Sequence, residues 1–277
     1  MTTDQASKAK AFRELHARPR PFLIPNPWDR GSALILESMG FEALATTSLG
    51  LANMLGQDGV TLKQVLDNCR EINEATNLPV NADLENGFAD APREAAQAIR
   101  LACEHGAVGG SIEDSTGDPA KPIYEFSLAL ERVQAAVEVA RALPVPFTFT
   151  ARAENFLHGR RDMDDTIKRL HAYEAAGADV LYAPGLHTLA EIRTVTSALK
   201  KPFNLVMGFA DPTITLDQLG EAGVRRVSIG GGLSRVALKA FMDAAKEMRA
   251  GNFGFIQRMA PIAELRGAFK RPAKPKI

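Results

Sequence analysis

The chain has 277 residues, 45% hydrophobic and 24% charged, with 33 basic and 33 acidic side chains in balance. That length carries ample core for one large α/β domain or two small ones. Zero net charge gives none of the basic footprint of a nucleic-acid or anionic-membrane partner. Cys69 and Cys103 are the only cysteines, which fits a reducing compartment without a disulfide framework. Each falls in a helical pattern, where a small buried hydrophobe is the expected role. The first ten residues are polar and no apolar run approaches ~18 residues, so a cytoplasmic protein without a membrane segment is expected.

In chain order, residues 5–18 predict a short helix and Phe22 to Asn26 a strand, followed by an amphipathic helix from Asp29 to Met39 that Gly40 ends. Glu42 to Thr47 reads as a strand, and Thr61 to Thr76 as a helix with Thr61 at its N-cap. Val80 to Asp83 is the third strand; Pro92 opens a helix that runs to about His105. Strands then alternate with helices: Gly109–Glu113 and Ser127–Ala142, Phe147–Ala151 and Asp164–Ala176 with Gly177 at its C-cap, Val180–Tyr182 and Leu189–Leu199. Phe203–Val206 precedes a helix at Thr215–Ala222, and Val227–Ile229 precedes a long helix at Leu233–Arg249. Eight strand–helix alternations predict an α/β fold of the (β/α)₈ TIM-barrel type over 1–277. A helical tail from about 251 to 277 includes a short helix after Pro261 and a basic, proline-containing end expected to be mobile.

In such barrels the active site lies at the carboxyl ends of the strands. The third strand delivers Asp83 and Glu85; residues two apart on an extended segment share a face, so the two carboxylates converge. Converging carboxylates repel unless a cation or a shared proton lies between them, and hard oxygen ligands suit Mg²⁺ or Mn²⁺. A solvated acidic turn gives the same pattern. The other strand ends supply Asn26, Trp28 and Asp29; Thr47 to Gly50; Glu113 and Asp114; Arg152 and Glu154; Tyr182; Asn204; and Gly230 to Gly232. Asp58 follows the second strand and is within reach of the same rim. Asp58, Asp83, Glu85 and Glu113 beside Arg152 read as a cation site next to a carboxylate clamp, since arginine binds carboxylates bidentately; structural ion pairs are the alternative. The three glycines suit a phosphate cradle or the simple closing of a barrel.

Asn26-Pro27-Trp28-Asp29, Thr46 to Gly50 with Gly56-Gln57-Asp58-Gly59, Asp83 to Gly87, Ser111 to Asp114, and Ala151 to Glu154 together resemble the isocitrate lyase/phosphoenolpyruvate mutase superfamily over roughly residues 20 to 250. The resemblance implies a barrel whose eighth helix is exchanged between subunits of a homodimer or homotetramer. It also implies Mg²⁺ held directly by Asp83, with Glu85, Asp58 and Glu113 completing the set, Mn²⁺ being the other candidate. Arg152 matches the substrate clamp, and Ser48, Leu49 and Gly50 match the segment that binds the substrate carboxylate. Trp28 and Asn204 complete the expected substrate pocket, with Arg152, Glu113 and Asp58 as the catalytic set. Members make or break C–C or P–C bonds in small 2-oxo or 2-hydroxy carboxylates.

The chain departs from the lyases in the loop after the fourth strand. Residues 114 to 126 hold neither the Lys-Lys/Arg-Cys-Gly-His motif, whose cysteine serves as acid, nor the mutase Asn-Ser pair. Tyr182, His187, His158, Ser115 and Thr116 are the candidates for a replacement acid. Three functions follow: a Mg²⁺-dependent lyase or decarboxylase, a phosphonopyruvate-type hydrolase or mutase, and a non-catalytic oxo-acid binder.

Overall fold

The computed structural model describes residues 3–270. At its centre stand β1 (Phe22–Leu23), β2 (Leu44–Ala45), β3 (Val80–Asp83), β4 (Gly109–Glu113), β5 (Thr148–Arg152), β6 (Val180–Tyr182), β7 (Phe203–Val206) and β8 (Arg226–Ser228). All are parallel, in the hydrogen-bonded order β1-β8-β7-β6-β5-β4-β3-β2. The N–H of Ala45 reaches the carbonyl of Pro25 at 3.1 Å, which joins the outer strands and closes the (β/α)₈ barrel. β1 is shorter than its apolar run predicts, because Pro25 and Pro27 have no N–H to give a ladder.

Helix α1 (Thr3–Ala17) precedes the barrel. Around it lie α2 (Arg30–Ser38), α3 (Ser48–Leu55), α4 (Leu62–Ala75), α5 (Pro92–Glu104), α6 (Phe126–Ala142), α7 (Met163–Ala176), α8 (Leu189–Ala198), α9 (Leu216–Glu221) and α10 (Gly232–Arg249). Their starts follow the sequence signals: Asp29, Thr61, Thr188 and Thr215 each form a capping box. A 3₁₀ turn at Gly254–Arg258 and α11 (Ile262–Ala268) follow; the predicted mobile basic end lies outside the described residues. Among the described residues no helix is long and apolar enough to cross a membrane. Helix α10 buries only Ser234 and leaves Val236, Phe241 and Met242 exposed.

Strand alternation sorts the side chains into two layers. Val80, Ala82, Ile112, Phe149, Ala151, Leu181, Phe203, Leu205 and Val227 face outward into the core beneath the helices. Asn81, Asp83, Ser111, Glu113, Arg152, Tyr182, Asn204, Arg226 and Ser228 face inward around a central cavity. The interior is therefore polar where barrels of this class ordinarily stack Val, Ile and Leu. Below it, α1 plugs the barrel with Phe12 and His16, packed edge-on at 4.7 Å, and His16 meets Phe22 at 5.0 Å. The plug needs Gly109: a Cβ there would lie 2.7 Å from the Phe12 ring and 3.0 Å from the Thr148 carbonyl.

Candidate active site

The cavity opens at the carboxyl ends of the strands and encloses about 350 Å³. One wall is α3, an element not anticipated where Thr47 to Gly50 were read only as the end of the second strand. Thr47 caps it, its Oγ1 accepting from Gly50 N–H at 3.2 Å, and Gly56 ends it in the left-handed conformation at φ 66°. Ser48 sits in its first turn, where backbone N–H groups have no partner inside the helix. Both its N–H and its hydroxyl donate to Asp83 Oδ2, at 3.0 and 2.9 Å. Thr46 Oγ1 accepts from the Asp83 N–H at 2.8 Å and fixes the strand end below.

Glu85 reaches the same cavity through a turn, which corrects the simple alternation expected of it. The strand stops at Asp83, and Glu85 adopts φ 46°, a left-handed conformation strained for a residue with a Cβ. Pairing to β4 holds it there: Leu84 N–H donates to Ser111 O at 3.2 Å and Glu113 N–H to Glu85 O at 2.9 Å. Buried Arg132 secures the rest of the turn by donating to the carbonyls of Asn86, Ala89 and Asp90.

Arg152 joins the acids. Its guanidinium meets Asp83 at 3.2 Å, Glu113 at 2.9 Å and Glu154 at 2.9 Å, and lies 4.8 Å over the Tyr182 ring. Burial alone would lower its pKa, but the carboxylates of Glu113, Glu154 and Asp83 hold it well above the ordinary arginine value. One cation does not balance so many acids. Burial, followed by the charges of Asp83 and Glu113, pushes Glu85 up to about 7. Burial, opposed by Arg152 and reinforced by Glu154 and Asp83, pushes Glu113 up to about 8. Glu154 is raised as well, first by burial, and its Oε2 is buried without a hydrogen-bond partner.

Of the other sequence candidates, Ser48, Leu49 and Asn204 line the cavity. Asp58, Trp28 and Gly50 do not. Asp58 is exposed between α3 and α4. The Trp28 carbonyl accepts from Asn68 at 2.9 Å, and the Gly50 N–H is engaged by the Thr47 cap. Tyr182, His158 and Ser115 line the cavity; Thr116, which donates to Lys121 O at 2.6 Å, and His187, tied to Phe209 O at the cavity's edge, are not among its lining residues. Asp114 anchors the scaffold by accepting from Tyr173 at 2.7 Å, Arg169 at 3.1 Å and Glu154 N–H at 2.8 Å. Arg226 and Arg235 also line the cavity and were not singled out in the sequence.

The family model described as phosphoenolpyruvate phosphomutase matches residues 12–249, the whole barrel through α10. The chain belongs to the phosphoenolpyruvate phosphomutase family. Its relatives in the isocitrate lyase/phosphoenolpyruvate mutase superfamily include 2-methylisocitrate lyase of Escherichia coli K12, 30% identical over 79% of this chain and 76% of that protein. Oxaloacetate decarboxylase of Ectopseudomonas mendocina is 29% identical over 86% of this chain and 83% of that one. A Burkholderia cenocepacia J2315 protein, assigned provisionally as a lyase/mutase, has a solved structure that superposes with a TM-score of 0.95 at 55% identity, covering 98% of each chain.

Proposed function

We propose that this family member is a Mg²⁺-dependent lyase or decarboxylase of a small 2-oxo or 2-hydroxy carboxylic acid. The observation that carries the reading is the convergence of Asp83, Glu113 and Glu154 on Arg152, with Glu85 in the same cavity and the carboxyls of Glu85 and Glu113 both raised to near neutrality. The named relatives that act on C–C bonds of such acids, 2-methylisocitrate lyase and oxaloacetate decarboxylase, support it.

The donor set fits a hard divalent cation, because carboxylate oxygens are its preferred ligands and added positive charge relieves their mutual repulsion. Among the described residues no three acids already stand in a metal-holding arrangement: Asp83 is engaged by Ser48 and Arg152. Asp83, Glu85 and Glu113 would hold the ion once Asp83 leaves Ser48. When bound, Mg²⁺ supplies positive charge beside the oxygen on which negative charge develops as the bond breaks. Ser48 and Leu49, freed at the first turn of α3, then offer N–H groups to the substrate carboxylate. Arg152 presents a planar fork to its oxygens. Tyr182, whose proton burial holds in place, stands at the wall to donate a proton to the departing fragment, whereas burial lowers the His158 pKa and disfavours its protonated form.

The exposed apolar side chains of α10 support packing of this helix on a second copy, as a homodimer or homotetramer. The function is tested by incubating the protein with a panel of 2-oxo and 2-hydroxy acids and following pyruvate, glyoxylate and CO₂, with and without Mg²⁺. Metal-dependent release of one of these is expected. Inorganic phosphate from phosphonopyruvate alone would transfer the assignment to P–C cleavage, and saturable binding without turnover would leave a binding protein.

A further inference from the structure

Below the acidic mouth, the inward face of β8 brings a second buried arginine to the same cavity. Arg226 is 3% exposed and lines the cavity's inner end with Asn81, Ser111, Asn204 and Ser228. Its Nε donates to Asn204 Oδ1 at 2.8 Å, Nη2 to Thr150 Oγ1 at 3.0 Å, and Nη1 approaches His16 Nε2 at 3.4 Å. His16 donates through Nδ1 to the Phe12 carbonyl at 2.7 Å, so Nε2 presents its lone pair to Arg226. Burial, then the neighbouring guanidinium, takes the His16 pKa down to about 3, and the ring is neutral.

Every partner of Arg226 is therefore uncharged, and among the described residues no carboxylate forms an ion pair with it. The other buried arginines are compensated differently. Arg152 and Arg169 meet carboxylates, and Arg132 meets three backbone carbonyls and the face of Tyr124. A guanidinium has five N–H donors, and three hydrogen bonds leave two of Arg226 without a protein acceptor. Buried charges are ordinarily paired, because an unpaired one carries a desolvation penalty of several kcal/mol. Burial lowers the Arg226 pKa only to about 9, so the charge persists at neutral pH. Water satisfies spare donors but does not neutralise the ion. The surroundings suit an oxyanion: serine hydroxyls 111 and 228 lie on the wall, and the unpartnered Asn81 Oδ1 accepts from a hydroxyl or water that accompanies it.

We propose that the inner end of the cavity is an anion subsite in which Arg226 takes a carboxylate of a small organic acid. The site is separate from the Asp83–Arg152 mouth and requires no metal. The carboxylate comes from either of two sources: the far end of a dicarboxylate whose first carboxylate sits at the mouth, or a separate small monocarboxylate.

Calorimetric titration of the full-length protein with malate, lactate and formate, each in Mg²⁺ and in EDTA, distinguishes them. Malate at least tenfold tighter than lactate, with the advantage lost in Arg226→Gln, identifies the far end of a dicarboxylate. Formate binding one to one in wild type and not in Arg226→Gln identifies a separate ion. Equal affinities for malate and lactate with no formate heat, or a malate advantage that survives Arg226→Gln, overturns the subsite. A wild-type crystal grown with malate gives a reading independent of the variant's folding. Carboxylate oxygens at hydrogen-bond distance from the Arg226 guanidinium are expected here or in a parallel wild-type crystal grown with formate, and their absence from both overturns the proposal. Turnover does not enter the test, so binding at Arg226 without lyase activity would leave the subsite standing and remove the assignment of the mouth.

Discussion

The two ends of the barrel interior treat a buried arginine in opposite ways. At the mouth, Arg152 faces Asp83, Glu113 and Glu154, and acids outnumber the cation. At the inner end, Arg226 has as its hydrogen-bond partners among the described residues Asn204, Thr150 and a neutral His16. The same residue type is over-compensated in one place and uncompensated in the other, within one cavity of about 350 Å³. The difference assigns opposite appetites to the two ends. The mouth lacks positive charge and the inner end lacks negative charge, which together suit a metal-chelating organic anion lying along the axis.

The largest expected effect comes from the acid at the centre of the mouth. Asp83→Ala removes the carboxylate that links Ser48 to Arg152. It should abolish the calorimetric signal of Mg²⁺ binding and lower turnover on the order of 10³-fold. A variant that keeps wild-type Mg²⁺ affinity would sink the metal assignment, whatever its activity.

Stability separates the two arginines next. Arg152→Met leaves the buried carboxylate of Glu154 and the partly buried ones of Asp83 and Glu113 without their cation and should lower the unfolding free energy by about 3–5 kcal/mol. Arg226→Met removes an unpaired ion and leaves only neutral acceptors behind, so the loss should stay below about 2 kcal/mol. Urea unfolding midpoints measure both, and an Arg226→Met variant that proves the more damaged of the two would erase the contrast.

How far this contrast was legible in the sequence depends on which residues are asked. The barrel was legible because periodicity, caps and helix-stopping glycines agree along the chain, as at Thr61, Pro92 and Gly177. Glu85 reaches the cavity through a turn that alternation does not describe, whereas the inward placement of Asp83, Glu113 and Arg152 was legible because they end successive strands. Helix α3 was not, since Gly50 in its first turn and an eight-residue length weaken any helical pattern, although Thr47 and Gly56 bracketed it. Asp58 was placed near the rim from its loop position after the second strand, and a loop position carries no periodicity to say where it points. Arg226 was hidden by Arg225. Two adjacent arginines read as a polar lead-in to a strand starting at Val227, whereas pairing to β7 begins at Arg226 and turns it inward with Ser228.

Acidity offers a finer test of the mouth. Metal ligands must be deprotonated, and Glu85 and Glu113 hold protons up to about 7 and about 8. Mg²⁺ affinity should therefore rise with pH through that window, by up to about tenfold per unit for each proton displaced. The metal-free protein should move the other way. A carboxyl raised above its unfolded value of 4.5 contributes stability that is complete below that value and lost as pH climbs through the folded one. The Tm gain on adding Mg²⁺ should thus grow from about pH 6 to about pH 9, and a gain that is flat across this range would mean that neither glutamate binds the ion.

The smallest effect belongs to a residue in neither region. Cys69 lies fully buried in α4, outside the cavity lining, and burial pushes its thiol up to about 12. At neutral pH it has no thiolate to act as nucleophile, and no path to the substrate as an acid. Cys69→Ser places a hydroxyl among apolar neighbours and should reduce stability by about 1–3 kcal/mol. It should leave kcat and KM at wild-type values, as should Cys103→Ser, whose buried sulfur accepts from Gln5 at 3.7 Å outside the cavity lining. Since lyases with a loop cysteine depend on that thiol for protonation, unchanged kinetics in both variants would locate the proton donor among the oxygen and nitrogen groups of the cavity wall. A folded Cys69→Ser protein without turnover would instead require a thiol that reaches the barrel mouth from behind the sheet, which the position of α4 forbids.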